Sequence, residues 1–385
     1  MINIFQKEGW INWKKLFKLC KMTPFIFSFG GRGTGKTYGG LELMLNLKND
    51  PDPDMQAENF LPCFFLRRRD VEVQSCFNGD DSPFKALEQD YNIKFYIEKV
   101  NNGKYYRVFY ATTEEVEDKK GNTSLKEVPD YDRGILFYVS SLATFANIRG
   151  VGFDDVKTIL YDEYIKEPHV QRMKREGFAL FNLYESICRN RELKGKPPVK
   201  LIGMANANDI TNDYFKELGI VNEVDKMVKE GKPFKQWIDR GLTIVNVGEN
   251  SPISQKKKHT ALYKLTQGTE FYRMAIENKF NQDDCEVIKP QDLKNYNPVC
   301  SSSLGITIYK RRGKEIHGDK NVQMYYVASH ISKREVRKYG RTKAEKERFL
   351  RSYAFLWYAY IESRVIFENY LCLDLFQEMF DINME

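Results

Sequence analysis

Residues 25 to 45 leave this chain few folds. Phe25-Ile-Phe-Ser-Phe29 reads as an apolar strand. Gly30-Gly-Arg-Gly-Thr-Gly-Lys36-Thr37 follows and fits the P-loop spacing G-x-x-x-x-G-K-[ST]. Thr37-Tyr-Gly-Gly-Leu-Glu-Leu-Met-Leu45 then starts a helix. Glycines let successive backbone N–H groups turn inward around a phosphate without Cβ clashes. The helix aims its positive end at the same place. Gly30, Gly31, Arg32, Gly33, Thr34 and Gly35 are therefore expected to line a nucleotide's phosphates. Lys36 is expected to reach the β/γ-phosphates, and the Thr37 hydroxyl to sit on Mg²⁺.

A P-loop needs acidic partners at the end of another strand. Val156-Lys-Thr-Ile-Leu-Tyr161 runs into Asp162-Glu163. Asp162 is expected to hold Mg²⁺ through water, and Glu163 to polarise the water that attacks the γ-phosphate. P-loop kinases acting on small substrates do not need the second acid, so the pair favours ATP hydrolysis over transfer. Further strands are expected at Cys63–Leu66, Ile135–Val139, Pro198–Met204 and Thr243–Val247, with a hairpin around Asn101-Asn-Gly103. Asn206, just past one strand end, can sense the γ-phosphate. The Arg67-Arg68-Arg69 run could turn one arginine toward the nucleotide or remain surface charge. Residues 113–132 are polar and read as a loop.

Phe178 to Glu192 reads as a helix with Leu180, Leu183 and Ile187 inward, ending in Arg189-Asn-Arg191-Glu192. Arginines there could be a solvated cap on the helix dipole. They could equally be a finger reaching a neighbour's nucleotide. The residues leave both open.

At 385 residues the chain suits two or three domains. We expect a P-loop ATPase domain over 1–248, a helical linker over 249–284, which includes the basic run Lys256-Lys-Lys-His259, and an α+β domain over 285–385. The first is an α/β fold of the RecA-like (ASCE) class with a parallel-rich sheet. The α+β domain closes with helix-patterned segments at about 342–361 and 365–380. Seven scattered cysteines without a C-x-x-C pair suit free thiols in a reducing compartment. Met1 to Trp10 carries no signal-peptide pattern, and no apolar run approaches a membrane span, so no membrane partner is expected. Net charge is +7, unevenly spread. Gly305 to Arg351 holds fourteen Lys/Arg against five acids, whereas Ser352 to Glu385 has one against six. That basic stretch is either a solvated face or a surface for a phosphate-bearing partner. Lys310, Arg311, Arg312, Lys333, Arg334, Arg337 and Lys338 are its candidate nucleic-acid contacts.

The order of these pieces resembles the DNA-packaging ATPases of phi29-like tailed phages. The matching stretches are Phe29–Tyr38, Thr158–Glu167, Leu180–Leu183 with Arg189–Glu192, Ala205–Ala207 with Asp213–Phe215, and Gly268–Glu270 with Glu277–Phe280. They run collinearly through the first domain into the linker. The resemblance implies a ring motor of five subunits, docked on a capsid portal in the host cytoplasm and driving double-stranded DNA inward. It assigns Lys36 and Thr37 to ATP and Mg²⁺, Glu163 to catalysis and Arg189 to a trans-acting finger. Arg149 falls where the family places a second basic trans-acting residue; here it is Arg rather than Lys, and its role stays open. In some relatives a structural RNA joins ring to portal. Related large terminases carry an RNase H-like nuclease C-terminally, which needs several carboxylates gripping two metals. The strand at Gly305–Tyr309 has no acid and runs into Lys310-Arg-Arg312, so we expect a vestigial, nuclease-inactive domain. Two other readings stay open: a different phage P-loop motor, helicase-like or for assembly, and a nucleotide-gated adaptor that binds nucleic acid without turnover.

Overall fold

The computed structural model describes residues 4–7, 9–31, 33–79, 82–117, 123–148, 150–166, 173, 175–206, 210, 212–247, 252–269, 272, 287–317, 320–329, 336–340 and 342–380. Residues pack into two units, 1–209 with 226–279, and 210–225 with 280–385.

The first unit is an α/β fold on a mixed sheet ordered β3-β4-β6-β2-β7-β8-β1-β10-β9, with β5 paired to β4. Its strands are β1 (Phe25–Gly30), β2 (Cys63–Arg67), β3 (Phe95–Val100), β4 (Tyr105–Glu117), β5 (Thr123–Pro129), β6 (Phe137–Ser141), β7 (Thr158–Asp162), β8 (Lys200–Asn206), β9 (Phe234–Trp237) and β10 (Leu242–Val247). The six central strands, β6 to β10 along that order, are all parallel. They read as unbroken apolar runs because helices cover both faces. On one face, α1 (Trp13–Leu19) and α2 (Lys36–Leu45) bury Trp13, Leu16, Leu41 and Met44 with Phe65 and Leu160 of the sheet. On the other, α3 (Glu176–Cys188) buries Leu180, Leu183 and Ile187, as its periodicity predicts.

Residues 113–117 and 123–129, expected as loop, are strand. β4 runs on to Glu117 and β5 returns beside it, pairing Thr113 with Glu127 and Glu114 with Lys126. Leu125 is exposed. Such a two-stranded ribbon has no buried face to impose an apolar period, so its sequence stays polar.

The second unit has a five-stranded sheet ordered β16-β11-β12-β15-β17, from β11 (Tyr296–Ser302), β12 (Thr307–Arg311), β15 (Tyr325–Ala328), β16 (Lys338–Tyr339) and β17 (Val365–Phe367). β13 (Glu315–His317) and β14 (Lys320–Val322) make a separate hairpin. β11, β12 and β15 are antiparallel, while β16 and β17 join the two edges in parallel. Val365–Phe367, read from sequence as the start of a helix, is thus an edge strand, and the helix begins at Tyr370. The core is aromatic: Phe349, Phe367 and Phe376 are fully buried, with Phe376 edge-on to Phe367 at 5.3 Å.

Packing cuts across the expected boundaries at 248 and 284. The helix Asp213–Glu217 buries Tyr214 and Phe215 completely. Its Lys216 pairs with Asp374 of the helix Tyr370–Phe380 at 2.5 Å, so 210–225 clusters with the C-terminal residues. Residues 252–269 belong with the first unit. No helix among the described residues is long and apolar enough to cross a membrane.

Candidate nucleotide site

The site gathers where β1, β2, β7 and β8 end, the edge at which open α/β sheets place their chemistry. β1 delivers the loop. Gly30 has φ +142°, and a Cβ there would lie 2.2 Å from the Val247 carbonyl oxygen of neighbouring β10. That obstacle is backbone and cannot step aside. Gly30→Ala should cost about 2–3 kcal/mol through forced backbone displacement, read as a lower urea midpoint. Gly35 caps α2 in the left-handed region that a glycine enters freely.

Lys36 is buried and its ammonium turns into the loop. Nζ donates to the Gly30 carbonyl at 2.9 Å, the Gly31 carbonyl at 2.8 Å and Thr34 Oγ1 at 3.2 Å. The amino-terminal segment braces the loop from outside. The Ile11 N–H donates to the Thr34 carbonyl at 3.0 Å, and Trp13 Nε1 to the Lys36 carbonyl at 3.1 Å.

β8 separates β1 from β7, and α2 carries Thr37 across it. Thr37 Oγ1 donates to Asp162 Oδ1 at 2.8 Å. A hydroxyl and a carboxylate oxygen this close are hard donors of the kind Mg²⁺ takes, so the residues fit that ion. Asp162 is buried. Glu163 follows in the left-handed region at φ +54°, with its side chain half exposed. Asn206 closes β8 in register with Gly30.

Arg67 is the residue that sequence left undecided. It ends β2, next to β7, and bridges both acids: Nη1 to Asp162 Oδ2 at 2.5 Å and Nη2 to Glu163 Oε2 at 2.8 Å. Burial pulls its pKa down, but Asp162 and then other anions, Glu163 among them, outweigh that and leave it raised. It is a permanent cation here. Its neighbours point elsewhere, Arg68 to buried Glu176 and Arg69 to Glu72. Side-chain alternation along the strand makes this division, but only the pairing of β2 with β7 says which side meets the acids.

Arg189 and Arg191 lie at the opposite edge of the sheet. Arg191 Nη1 donates to the Val156 carbonyl at 2.8 Å and Nε to the Pro197 carbonyl at 2.9 Å, both ahead of the strands β7 and β8. Five residues of β7 span about 13 Å, which separates this edge from Asp162 at the strand's other end. Its side chain is 47% exposed, and its contacts among the described residues are long, to Asp154 at 3.6 Å and the Val151 carbonyl at 3.5 Å. Arg32 and Arg149 lie outside the described residues.

In the second unit Lys310, Arg312, Arg337 and Lys338 are exposed and Arg311 is half buried. They do not form one cluster. Lys310 and Arg311 pair with Asn297 and Tyr296, whereas Lys338 pairs with Ser301 at the other end of β11, about 13 Å along. The expected single surface is therefore two patches. Lys333 and Arg334 lie outside the described residues.

The family described as podovirus DNA encapsidation protein (Gp16) matches residues 86–336. This chain belongs to that family. DNA packaging proteins of Bacillus phages phi29 and PZA are each 26% identical to it over 174 residues, 42% of this chain. The corresponding protein of Bacillus phage B103 is 27% identical over 143 residues. The chain spans about half the length of the curated relatives it matches, 48% for phi29 and PZA. Among solved structures, the phi29 viral genome packaging motor assembly shares the fold at TM-score 0.59 and 16% identity, over 98% of this chain and 100% of that one. The phi28 gp11 DNA packaging motor does so at TM-score 0.57 and 14% identity, over 99% of each. The encapsidation family thus extends through the acids of β7 and into the second unit, while the P-loop at 30–37 precedes the matched residues.

Proposed function

We propose that this chain is the ATPase of a phage DNA-packaging motor, hydrolysing ATP to move double-stranded DNA into a preformed capsid. The observation that carries the chemistry is the convergence of Lys36, Thr37, Asp162, Glu163 and Arg67 at one sheet edge, in a member of the encapsidation family.

ATP would lay its phosphates on the loop and draw the Lys36 ammonium from the carbonyls it now meets. Thr37 would hold Mg²⁺ directly and Asp162 through water; when bound, the ion neutralises charge on the phosphate oxygens. Glu163 would take a proton from the attacking water. In the structure its carboxylate is tied to Arg67, which holds it away from that task until a nucleotide competes for the arginine. Asn206, level with Gly30, would meet the terminal phosphate. Arg189 would enter the neighbour's site in a ring, which we take to be a homopentamer on the capsid portal in the host cytoplasm, with or without a structural RNA.

We read the second unit as RNase H-like, because a three-strand antiparallel meander is followed by β16 parallel to β11. Neither β11 nor β12 carries an acid, so no nuclease activity is expected. Its two basic patches suit backbone contacts that hold DNA without reading sequence.

The test is ATP hydrolysis by purified protein with and without double-stranded DNA, beside Lys36→Ala. Turnover that rises with DNA and vanishes in the variant supports the motor. Turnover indifferent to both refutes the assignment. Binding without turnover would favour a nucleotide-gated adaptor.

A further inference from the structure

The basic run Lys256-Lys257-Lys258 reads from sequence as part of a linker. The structure puts one of its lysines on the phosphate loop. After β10 ends beside Gly30, the helix Pro252–Lys257 brings the chain back, and its last side chain reaches Gly33. A Cβ built on Gly33 would lie 2.0 Å from Lys257 Nζ and 3.0 Å from Cε. The ammonium therefore rests on the bare backbone of that glycine, which is exposed and left-handed at φ +68°. The Lys257 side chain is half buried, whereas Lys256 is exposed.

The loop thus has two ammonium groups against its backbone, Lys36 at the Gly30 and Gly31 carbonyls and Lys257 at Gly33. Two ammonium groups held at one glycine-rich loop that can turn N–H donors inward match a multiply charged anion in sign and in hydrogen-bonding chemistry. The polyphosphate tail of a nucleotide is such an anion. We propose that Lys257 contacts the terminal phosphates of bound ATP. The helix Pro252–Lys257 would then be a nucleotide-sensing element, clamped to the loop when a triphosphate is present. This inference rests on the ATPase reading. It adds a phosphate contact that the P-loop motif does not contain. It also gives the segment after the last strand of the sheet a direct stake in the nucleotide state, since that segment leads on to the second unit.

The experiment measures binding of ATP and ADP by titration calorimetry to wild type, Lys257→Met, Lys257→Arg and Lys256→Met. Lys257→Met keeps much of the stem and deletes the charge. It should weaken ATP by about 10-fold or more, the scale of one charge-assisted hydrogen bond, and ADP by less. Lys257→Arg should keep ATP affinity within about 3-fold, and Lys256→Met should match wild type. Urea midpoints of the variants should coincide, separating loss of contact from loss of fold. Equal ATP affinity for Lys257→Met and wild type overturns the proposal while leaving the ATPase reading intact. So does equal loss in Lys257→Met and Lys256→Met, which would be general charge. If wild type binds no ATP, both readings fall together.

Discussion

Arg189→Ala is expected to lower ATP turnover by about 10³-fold or more while leaving ATP affinity unchanged, and mixing it with Lys36→Ala subunits should restore turnover. The size is that of an arginine finger in other P-loop enzymes. The direction of the effect follows from placement. Arg189 ends a 13-residue helix that leaves the nucleotide edge and runs about 20 Å back toward the other. There it meets Asp154 and the Val151 carbonyl at 3.5–3.6 Å, too long to hold a guanidinium firmly. Arg191, two residues on, is spent on two backbone carbonyls at 2.8 and 2.9 Å. Arg191→Ala should therefore lower stability more than it alters chemistry, since it strands those carbonyls. In the mixture, an Arg189→Ala subunit keeps an intact loop and borrows the finger of its Lys36→Ala neighbour. Head-to-tail contacts that close the proposed ring would supply that neighbour. No recovery at any mixing ratio would mean that Arg189 does not act in trans.

Much of the site can be read from the chain because its physics is local. A run of glycines before Lys36 has few uses, and apolar strands ending in Asp162-Glu163 carry their own signature. The inner face of the helix Glu176–Cys188 follows from its period. What escaped depends on partners distant in sequence. Three consecutive arginines look alike until β2 is known to pair with β7; then Arg67 falls on the acids and Arg68 on Glu176. Lys257 is one of three lysines until β10 and the helix after it return the chain to Gly33. Where β4 pairs with β5, residues 112–115 and 124–127 are exposed, so no buried face imposes a period. The segment 210–225 clusters with the second unit, and its Lys216 pairs with Asp374, more than a hundred positions on. The basic stretch after Gly305 misled in the opposite way: charges close in sequence were read as one surface, and β11 holds them apart.

Glu163→Gln should bind ATP with near wild-type affinity yet hydrolyse it about 10²–10⁴ times more slowly, with or without DNA. The amide preserves shape and can still accept from Arg67, but it cannot take a proton from water. Single-turnover measurement with radiolabelled ATP checks both halves. The size of the fall also bears on Arg67. Asp162 is buried and accepts from Arg67 at Oδ2 and from Thr37 at Oδ1, so it keeps Arg67 in place when Glu163 is altered. Glu163 is half exposed and its backbone is left-handed, so its carboxylate can leave the arginine at lower cost than Asp162 could. One guanidinium therefore grips one fixed acid and one releasable acid. Arg67→Ala would strip the buried Asp162 of its cation and cost stability through that uncompensated charge, which makes Glu163→Gln the cleaner probe of the pair. If Glu163→Gln turned over within a few-fold of wild type, another group would be the base, and the Arg67 bridge to Glu163 would be structural only.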